Sequence, residues 1–406
     1  MSEPDRQAVR QVRVGPESGR AGGVVLELII DNPPVNALSH AVRVGLAAGI
    51  AAAGADASVM AVVIRAEGRT FPAGADISEF GKPALAPLLP DLCNLVEACA
   101  KPVVAAVHGT ALGGGLELAL AAHFRLARAD ARLGLPEVGL GILPGAGGTQ
   151  RMPRLIGAEQ ALRLMLGGRP IGAAEALALG LLDRVVEDGL EAAALAMARA
   201  AMGQVPVPTR ERRDGMRDGV AYQAAVAAAR LHQHGARLPA PERIVDCVEA
   251  AQLLPFDQGL AYERRAFTDL VATPEAAGLR HAFFAERAAA RMPEAGAAPR
   301  ALREIGVAGS GGADLTLTLL QAGFAVTLAE ADRPALVAAL EAIAARQEEA
   351  VQAGRRSPGA RDADWARLQP AAGAGALAEA DLVLIADAAS LAGVVQAARP
   401  GAVLVL

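Results

Sequence analysis

The stretch HGTALGGGLEL, residues 108–118, places three consecutive glycines directly before an apolar helical segment. Backbone N–H groups at a helix N-terminus have no partner inside the helix, and with the helix dipole they attract an oxygen that carries negative charge. Glycine also lets a ligand approach the main chain closely. Glu117 lies about one turn into the helix, three residues after Gly114, so its carboxyl can face the same cleft. The pattern predicts an anion-binding turn with a carboxyl beside it.

Two further segments accompany this turn, FPAGADI at residues 71–77 and PEVGLGILPGAGGTQ at residues 136–150. Glu137 follows Pro136 in the second segment, and it would have to converge with Glu117 for the two carboxyls to act as an acid/base pair. Each feature alone also has an ordinary structural interpretation: a plain turn, a carboxylate that stabilises a helix dipole, or a surface-loop residue. The presence of all three segments in this order favours a catalytic site.

Strand-like and helix-like patterns alternate through the first half of the chain, which predicts a layered α/β fold. The predicted strands are 23–30, 59–66, 103–107 and 124–127, and the predicted helices are 41–53, 87–98, 114–122 and 147–156. From about residue 204 the pattern becomes helical, notably at 255–270 and 274–291, with no convincing strand. A Pro-, Gly- and Ala-rich joint follows at 292–300.

A second α/β pattern begins after this joint. It contains predicted strands at 304–308, 325–330, 381–386 and 402–406, a glycine turn at 309–312 and a helix at 315–322. We therefore expect three parts, residues 1–203, 204–298 and 299–406.

Composition and charge narrow the class of protein. The net charge of −5 provides no basic surface for nucleic acid. Three cysteines, Cys93, Cys99 and Cys247, without a CxxC spacing predict no disulfide framework and no zinc site, and they indicate a reducing compartment. Residues 1–20 contain no apolar signal segment, and no apolar stretch is long enough to cross a bilayer. The expectation is a cytoplasmic enzyme.

Three other candidate features receive structural interpretations. His232 and His234 lie two residues apart on a predicted helix, so they do not share a face and predict no metal site. Cys93 and Cys99 lie in a helical stretch and are expected in the core. The mixed-charge run at 209–213 is expected to be a solvated segment.

The three glycine-containing segments resemble those of the crotonase (enoyl-CoA hydratase/isomerase) superfamily, in its hydratase branch. The resemblance extends from about residue 24 to residue 186 and includes NPPVNAL at 32–38, PIGAAEA at 170–176 and GLLD at 180–183. Pro72 is a departure, because many relatives carry a smaller residue there; it removes one N–H, though not one assigned to substrate. The resemblance implies a crotonase-type ββα superhelix.

The resemblance also implies roles for individual residues. The N–H groups of Ala75 and Gly114 would form an oxyanion hole for a thioester carbonyl. Glu117 would orient and deprotonate the attacking water, and Glu137 would deliver the proton to the α-carbon. The residues that match the family's coenzyme A-binding segments are Ala37, Ala73, Asp76 and Ile77.

The rest of the chain resembles another part of the multifunctional β-oxidation enzymes. Residues 251–291 resemble their linker helix, and residues 303–406 resemble the beginning of a 3-hydroxyacyl-CoA dehydrogenase Rossmann unit, here truncated. Gly309 and Gly311 would cradle a pyrophosphate, and Glu330, 21 residues after Gly309, would bind a ribose.

This second glycine fingerprint is degraded. Counting from Gly309 puts Asp314 where the third glycine belongs, and counting from two residues earlier puts Val307 at the glycine of the tight turn. No histidine follows His281, although the family's dehydrogenase uses a histidine base located beyond the segment present here. We expect a vestigial or scaffolding Rossmann-like unit with no working dehydrogenase, and we expect NAD not to bind.

Three functional hypotheses follow. The first is a 2-enoyl-CoA hydratase of fatty-acid β-oxidation, which needs no cofactor for hydration and no metal. The second is a Δ3,Δ2-enoyl-CoA isomerase at the same site, with Glu137 moving a proton between carbons. The third is a catalytically idle acyl-CoA-binding or assembly subunit that docks a thiolase. An acyl-CoA thioester is the expected ligand, and a homo-oligomer or a thiolase is the candidate protein partner.

Overall fold

The computed structural model describes residues 7–16, 22–76, 79, 82–233, 235, 237–289 and 302–406. The chain divides into two compact units, Met1–Arg291 and Met292–Leu406. Three sequence predictions fall outside the described residues: a coenzyme A contact at Ile77, the second histidine of the pair at His234, and the joint at 292–300. The helical segment after residue 203 belongs to the first unit.

The first unit contains a six-stranded sheet and a three-stranded sheet. Its strands are β1 Val9–Val14, β2 Val24–Ile30, β3 Val59–Ala66, β4 Val103–Val107, β5 Thr110–Leu112, β6 Phe124–Arg128, β7 Arg132–Gly134, β8 Ile171–Gly172 and β9 Arg184–Val186. The larger sheet has the order β1-β2-β3-β4-β6-β9, and the smaller one has the order β5-β7-β8. In the larger sheet only the edge pair β1–β2 is antiparallel.

Ten helices accompany these sheets in the part of the first unit that the structure describes. They are α1 His40–Ala55, α2 Leu89–Glu97, α3 Gly114–Ala121, α4 Gly148–Gly167, α5 Ala173–Leu179, α6 Leu190–Ala201, α7 Gly219–Gln233, α8 Ala240–Leu253, α9 Phe256–Val271 and α10 Pro274–Ala289. A short 3₁₀ turn at Glu137–Leu140 lies between β7 and α4.

Strand β2 shows why the larger sheet is buried on both faces. Its sequence VVLELII is nearly continuously apolar, as expected for a strand covered on both sides. Leu26 and Leu28 point into the main core, whereas Val25 packs in a second cluster against Ala194 and Ala198 of α6. The one charged side chain in the strand, Glu27, accepts a hydrogen bond from Arg65 of β3 at 2.8 Å.

Helix α3 is central to the first unit. All eight of its residues are buried, and all except Glu117 are apolar or glycine, so the helix lies inside the main core. This burial fixes the position of its first turn, which carries the three glycines. The following helix α4 continues beyond the predicted end at residue 156, but Gly157 has non-helical dihedral angles (φ 79°, ψ 169°) and divides it.

The second unit is a parallel sheet with helices on its two faces. Its strands are β10 Ile305–Ala308, β11 Val326–Glu330, β12 Leu368–Ala372, β13 Leu382–Ile385 and β14 Val403–Val405, and its helices are α11 Gly312–Gln321, α12 Arg333–Gln352, α13 Pro358–Ala366 and α14 Leu391–Ala397. The strand order β12-β11-β10-β13-β14 is the doubly wound order of a Rossmann fold. The predicted Rossmann-like architecture is confirmed.

The sequence prediction gave the wrong start for one helix and missed several strands. Helix α11 begins at residue 312 rather than 315, because it starts immediately after the left-handed Gly311. Strand β12 was not predicted, because LQPAA is a mostly exposed edge strand with little apolar alternation. The strands of the small sheet have only two or three residues each, too few for a periodic signal. Among the described residues, no helix is both long and apolar enough to cross a membrane.

Candidate active site

The first turn of α3 lies against the loop that follows Phe71. A Cβ atom on Gly115 would collide with the carbonyl oxygen of Pro72, so only glycine permits this approach. The amide nitrogen of Ala75 lies 3.2 Å from the position that a Cβ on Gly114 would occupy. Within the described residues, neither the Ala75 N–H nor the Gly114 N–H donates to a protein acceptor. The two amides predicted to form an oxyanion hole are therefore adjacent and available.

Glu117 extends from α3 into the interior, and the residue is 3% exposed. Its Oε1 accepts hydrogen bonds from the backbone N–H groups of Ala146 (2.7 Å) and Gly148 (2.8 Å). Burial raises the pKa of Glu117, and the two amides and the Arg151 guanidinium oppose that shift. One carboxyl oxygen is therefore held by two backbone amides at the start of α4.

Glu137 begins the 3₁₀ turn after β7, and its carboxyl bends back toward α3. Its Oε1 lies 2.7 Å from the position of a Cβ on Gly113, the residue that precedes α3. Its Oε2 is shielded from solvent and has no hydrogen-bond partner within the described residues. Native structures pair most buried polar atoms, so an unpartnered carboxyl oxygen indicates a place for a ligand or a proton.

The two carboxyls influence each other electrostatically. Burial raises the pKa of Glu137 well above its ordinary value, and the negative charge of Glu117 raises it further. Because like charges in one buried site oppose ionisation, one of the two carboxyls is favoured in its protonated form. The structure thus brings together the two glutamates that the sequence could only pair by resemblance.

A third buried glutamate was missed by the sequence analysis. Glu263 of α9 is 1% exposed and accepts hydrogen bonds from the Gly147 N–H (2.6 Å), the Thr149 N–H (3.0 Å) and the Thr149 hydroxyl (2.5 Å). Burial, followed by repulsion from Glu117, raises the pKa of Glu263 to about 8. Within the described residues, no set of three or more His, Cys, Asp or Glu side chains is arranged to hold a metal ion.

The predicted coenzyme A segments lie on two loops that hydrogen-bond to each other. The Ala73 N–H donates to Val35 O at 3.1 Å, and the Leu38 N–H donates to Gly74 O at 3.0 Å. Ala37 therefore adjoins the loop of Ala73 and Asp76, beside the paired amides. Asn36, in the left-handed region (φ 52°), braces the pair by donating from its side chain to the carbonyls of Glu67 and Thr70.

The expectation of a solvated segment at 209–213 was wrong at its first two residues. Thr209 is 1% exposed, and its hydroxyl donates to Leu120 O at 2.7 Å. Arg210 donates to the buried carboxylate of Glu97 at 2.9 Å, and its guanidinium lies 4.6 Å from the ring centroid of Phe256 at the start of α9. The prediction for the cysteines is confirmed, since Cys93 and Cys99 are both buried.

The glycine turn of the second unit joins β10 to α11. Gly309 and Gly311 are both left-handed (φ 94° and 95°), α11 follows at once, and the buried Glu330 ends the neighbouring strand β11. However, the carboxylate of Asp387 accepts a hydrogen bond from the Ser310 N–H at 2.5 Å, and a Cβ on Gly309 would meet that carboxylate.

The residues of this turn therefore fit a dinucleotide only in part. The position of Glu330 suits a ribose, but Asp387 takes one of the amides that a pyrophosphate would use and places a negative charge there. Hydrogen bonds from Ser390 and Ser310 lower the pKa of Asp387, so the charge is present at neutral pH.

Two family models match the chain. The model for enoyl-CoA hydratase/isomerase matches residues 20–234, and the model for the 3-hydroxyacyl-CoA dehydrogenase NAD binding domain matches residues 304–389. The first match contains both site glutamates, Glu117 and Glu137, and the second contains the turn at Gly309.

Curated relatives match both units. The peroxisomal bifunctional enzyme of Danio rerio is 40% identical over 327 residues, covering 76% of this chain and 44% of that protein. The enzyme of the same name from Cavia porcellus is 38% identical over 348 residues, covering 81% of this chain and 47% of its own length. The chain thus spans less than half the length of these two relatives.

A solved structure supports the predicted crotonase-type fold. The carnitinyl-CoA hydratase of Mycobacterium avium is 31% identical, with a TM-score of 0.50, and the match covers 70% of this chain and 97% of that one.

Proposed function

Since the chain belongs to the enoyl-CoA hydratase/isomerase family, we propose that its first unit adds water across the α,β double bond of a 2-enoyl-CoA thioester. The observation that carries the proposal is the convergence of Glu117 and Glu137 on the first turn of α3, beside two available amides. The proposal assigns each of these groups a separate task in one addition reaction.

The two amides would stabilise the charge that develops during the reaction. When water attacks the β-carbon, electron density moves onto the thioester oxygen, which becomes enolate-like. The N–H groups of Ala75 and Gly114 would donate to that oxygen, and one such donor is worth about 2.7–4 kcal/mol in comparable sites. The positive end of the α3 dipole adds to this stabilisation.

The two glutamates would move the protons. Glu117, held by the loop through Oε1, would use its other oxygen to orient the water and accept its proton. Glu137, whose raised pKa favours the protonated form, would donate its proton to the α-carbon. Hydroxide thus adds to the β-carbon and a proton to the α-carbon. One proton then returns from Glu117 to Glu137, directly or through solvent.

The coenzyme A moiety would lie along the paired loops that carry Ala37, Ala73 and Asp76. Their location beside Ala75 supports this assignment, because the thioester end of the ligand must reach the Ala75 amide. Ile77 keeps the same predicted role from its sequence position alone.

The second unit would contribute no dehydrogenase chemistry, and hydration itself would need no cofactor. Asp387 supports the proposal that NAD does not bind, because its charge would repel a pyrophosphate at the turn. The names of the curated relatives place those proteins in peroxisomes and describe them as bifunctional or as β-oxidation enzymes. We propose β-oxidation as the setting here too, while a cytoplasmic location and a thiolase partner stay predictions.

The test is hydration of a series of 2-enoyl-CoA chain lengths beginning with crotonyl-CoA, with and without NAD. Glu117→Gln and Glu137→Gln should each lower kcat by about 10²–10⁴-fold, the range for a positioned acid or base. Glu175→Gln is the matched control, since this exposed glutamate only pairs with Arg163 on the surface. Near wild-type turnover in Glu137→Gln would refute the assigned roles.

Isomerisation is the second candidate, and it is favoured by the same unpartnered Oε2 of Glu137. That oxygen could carry a proton from the α-carbon to the γ-carbon of a 3-enoyl-CoA. Formation of the conjugated product from a 3-enoyl-CoA would support this activity. Ligand affinity without turnover on either substrate would instead favour an idle acyl-CoA-binding subunit.

A further inference from the structure

The segment Ala146–Thr149, called the Ala146–Thr149 loop below, ends the connection from the turn of Glu137 and includes the first two residues of α4, and it is held between two buried carboxyls. Its four backbone N–H groups alternate: those of Ala146 and Gly148 donate to Glu117, and those of Gly147 and Thr149 donate to Glu263. Gly147 is left-handed (φ 97°), which lets successive amides point in opposite directions. The hydrogen bonds from the loop to Glu117 therefore depend on the hydrogen bonds from the loop to Glu263.

From this alternation we infer that Glu263 is a positioning residue for the proposed hydration: through the Ala146–Thr149 loop it fixes the carboxyl of Glu117. The inference rests on the proposed function for its kinetic consequence. In this role Glu263 holds the Ala146–Thr149 loop by hydrogen bonds and makes no contact with the substrate.

Helix α9, which carries Glu263, is held in place by several contacts of its own. The ring of Phe256 at its start is surrounded by three guanidiniums, those of Arg151, Arg154 and Arg210, at 5.3, 4.7 and 4.6 Å from the ring centroid. Gly259, one turn before Glu263, packs against Gln150 of α4. Loss of the Glu263 carboxyl would thus disturb the loop more than the helix.

Replacing Glu263 would also weaken the hydrogen bonds that hold Glu117. In Glu263→Gln only one acceptor oxygen remains, so one of the buried amides of Gly147 and Thr149 would lose its acceptor, at a cost of roughly 1–3 kcal/mol. The loop can recover part of that cost only by turning these amides toward another acceptor. Any such turn rotates the Ala146 and Gly148 amides away from Glu117 and releases its carboxyl. A misplacement of about 1 Å at a reacting group can cost 10²-fold in rate.

The test compares wild type with Glu263→Gln and with Asp269→Asn, an exposed carboxylate on the same helix that serves as the matched control. Two measurements are made on each folded protein: kcat and KM for crotonyl-CoA hydration, and hydrogen exchange of a peptide spanning residues 144–150. Glu263→Gln should lower kcat by about 10–10²-fold with KM within about threefold, and should speed exchange in the loop. Asp269→Asn should change neither measurement.

The two readouts separate the possible failures. If wild type does not hydrate crotonyl-CoA, the proposed function fails, while the exchange measurement still tests whether Glu263 holds the loop. Unchanged exchange in Glu263→Gln overturns the inference, and so does faster exchange with unchanged kcat, because the role would then be structural only.

If Glu263→Gln does not fold, Thr149→Val replaces it. That variant keeps the Glu263 carboxyl and removes the Thr149 hydroxyl, which donates to Glu263 at 2.5 Å and accepts from Gln150 Nε2 at 3.0 Å. It should lower kcat by several-fold and loosen the loop, and an unchanged kcat overturns the inference.

Discussion

Each unit contains a glycine turn that leads into a helix. The two turns differ in whether a protein group accepts hydrogen bonds from their backbone N–H groups. Gly113 before α3 and Gly311 before α11 are both N-cap residues with a positive φ (51° and 95°), although their ψ angles differ (−126° and −4°), and each leads directly into a helix. In the first turn, the Gly114 N–H has no protein acceptor within the described residues. In the second, the Ser310 N–H donates to Asp387. A glycine turn thus sets a backbone shape, and the neighbouring side chains decide whether that shape can receive a ligand.

The carboxyls beside the two turns also differ in charge. Burial and Glu117 raise the pKa of Glu137, which favours its neutral form, whereas hydrogen bonds lower the pKa of the partly exposed Asp387 and keep it charged. A neutral acid next to an anion-binding turn can donate a proton to what binds there. A charged carboxylate at the same place repels an anion. The difference predicts catalysis in the first unit and exclusion of phosphate in the second.

The largest expected effect comes from the close contact behind the first turn. In Gly115→Ala the added Cβ meets the carbonyl oxygen of Pro72, a backbone atom that cannot rotate aside. Either α3 or the loop of Ala75 must move, which separates the two amides. We expect crotonyl-CoA hydration to fall by at least about 10²-fold and the free energy of unfolding to fall by about 1–3 kcal/mol, measured by urea denaturation.

A second glycine provides the control for this variant. A Cβ on Gly54, an exposed residue of α1, meets no atom within 4 Å. Gly54→Ala should leave hydration unchanged and raise the free energy of unfolding by up to about 1 kcal/mol, because alanine loses less backbone entropy in a helix. Wild-type turnover in Gly115→Ala would mean that the N–H groups of Ala75 and Gly114 do not stabilise the thioester oxygen during the reaction.

A smaller effect should appear in the pH dependence of stability. The folded state raises the pKa of Glu137, so it binds that proton more tightly than the unfolded chain does. The resulting stabilisation is present at low pH and is lost as the pH rises from the ordinary glutamate pKa of 4.5 through the raised one. Each tenfold difference in proton binding is worth about 1.4 kcal/mol.

Glu137→Gln removes this ionisation. The variant should match the thermal stability of wild type near pH 4.5 and become progressively more stable than wild type toward pH 8, as measured by melting temperature across that range. Glu175→Gln, which replaces an exposed carboxylate on the surface, is the control for this comparison. Parallel curves for Glu137→Gln would show that its carboxyl is not buried as the structure describes.

Local patterns were enough to predict the parts of the fold that the first turn needs. Strands β3 and β4 have the predicted bounds because each is a compact apolar run between polar or proline residues. The position of Glu117 beside the glycines followed from helix geometry alone. The pairing with Glu137 did not: it came from the family resemblance, because no spacing rule shows where an irregular loop returns.

Long-range contacts account for what the sequence did not predict. Glu263 meets its partners 114 and 116 residues away, and on α9 it had the appearance of one more polar residue. Asp387 meets Ser310 across 77 residues. In both cases the deciding interaction is a carboxylate with a loop amide, a contact that leaves no periodic trace in either segment.

The smallest expected effect concerns the second turn. Asp387→Asn keeps a side chain able to accept from Ser310 and removes the charge, so NADH binding, followed by nicotinamide fluorescence, should strengthen by about fivefold. A factor of about five is the scale expected for one unit charge at about 4 Å in water. Asp362→Asn, an exposed change elsewhere in the second unit, should have no effect. If wild type already binds NADH as tightly as the variant does, the Asp387 carboxylate does not weaken NADH binding at the turn. The difference between the two units must then have another cause, and Asp314, at the third glycine position, is the next residue to substitute.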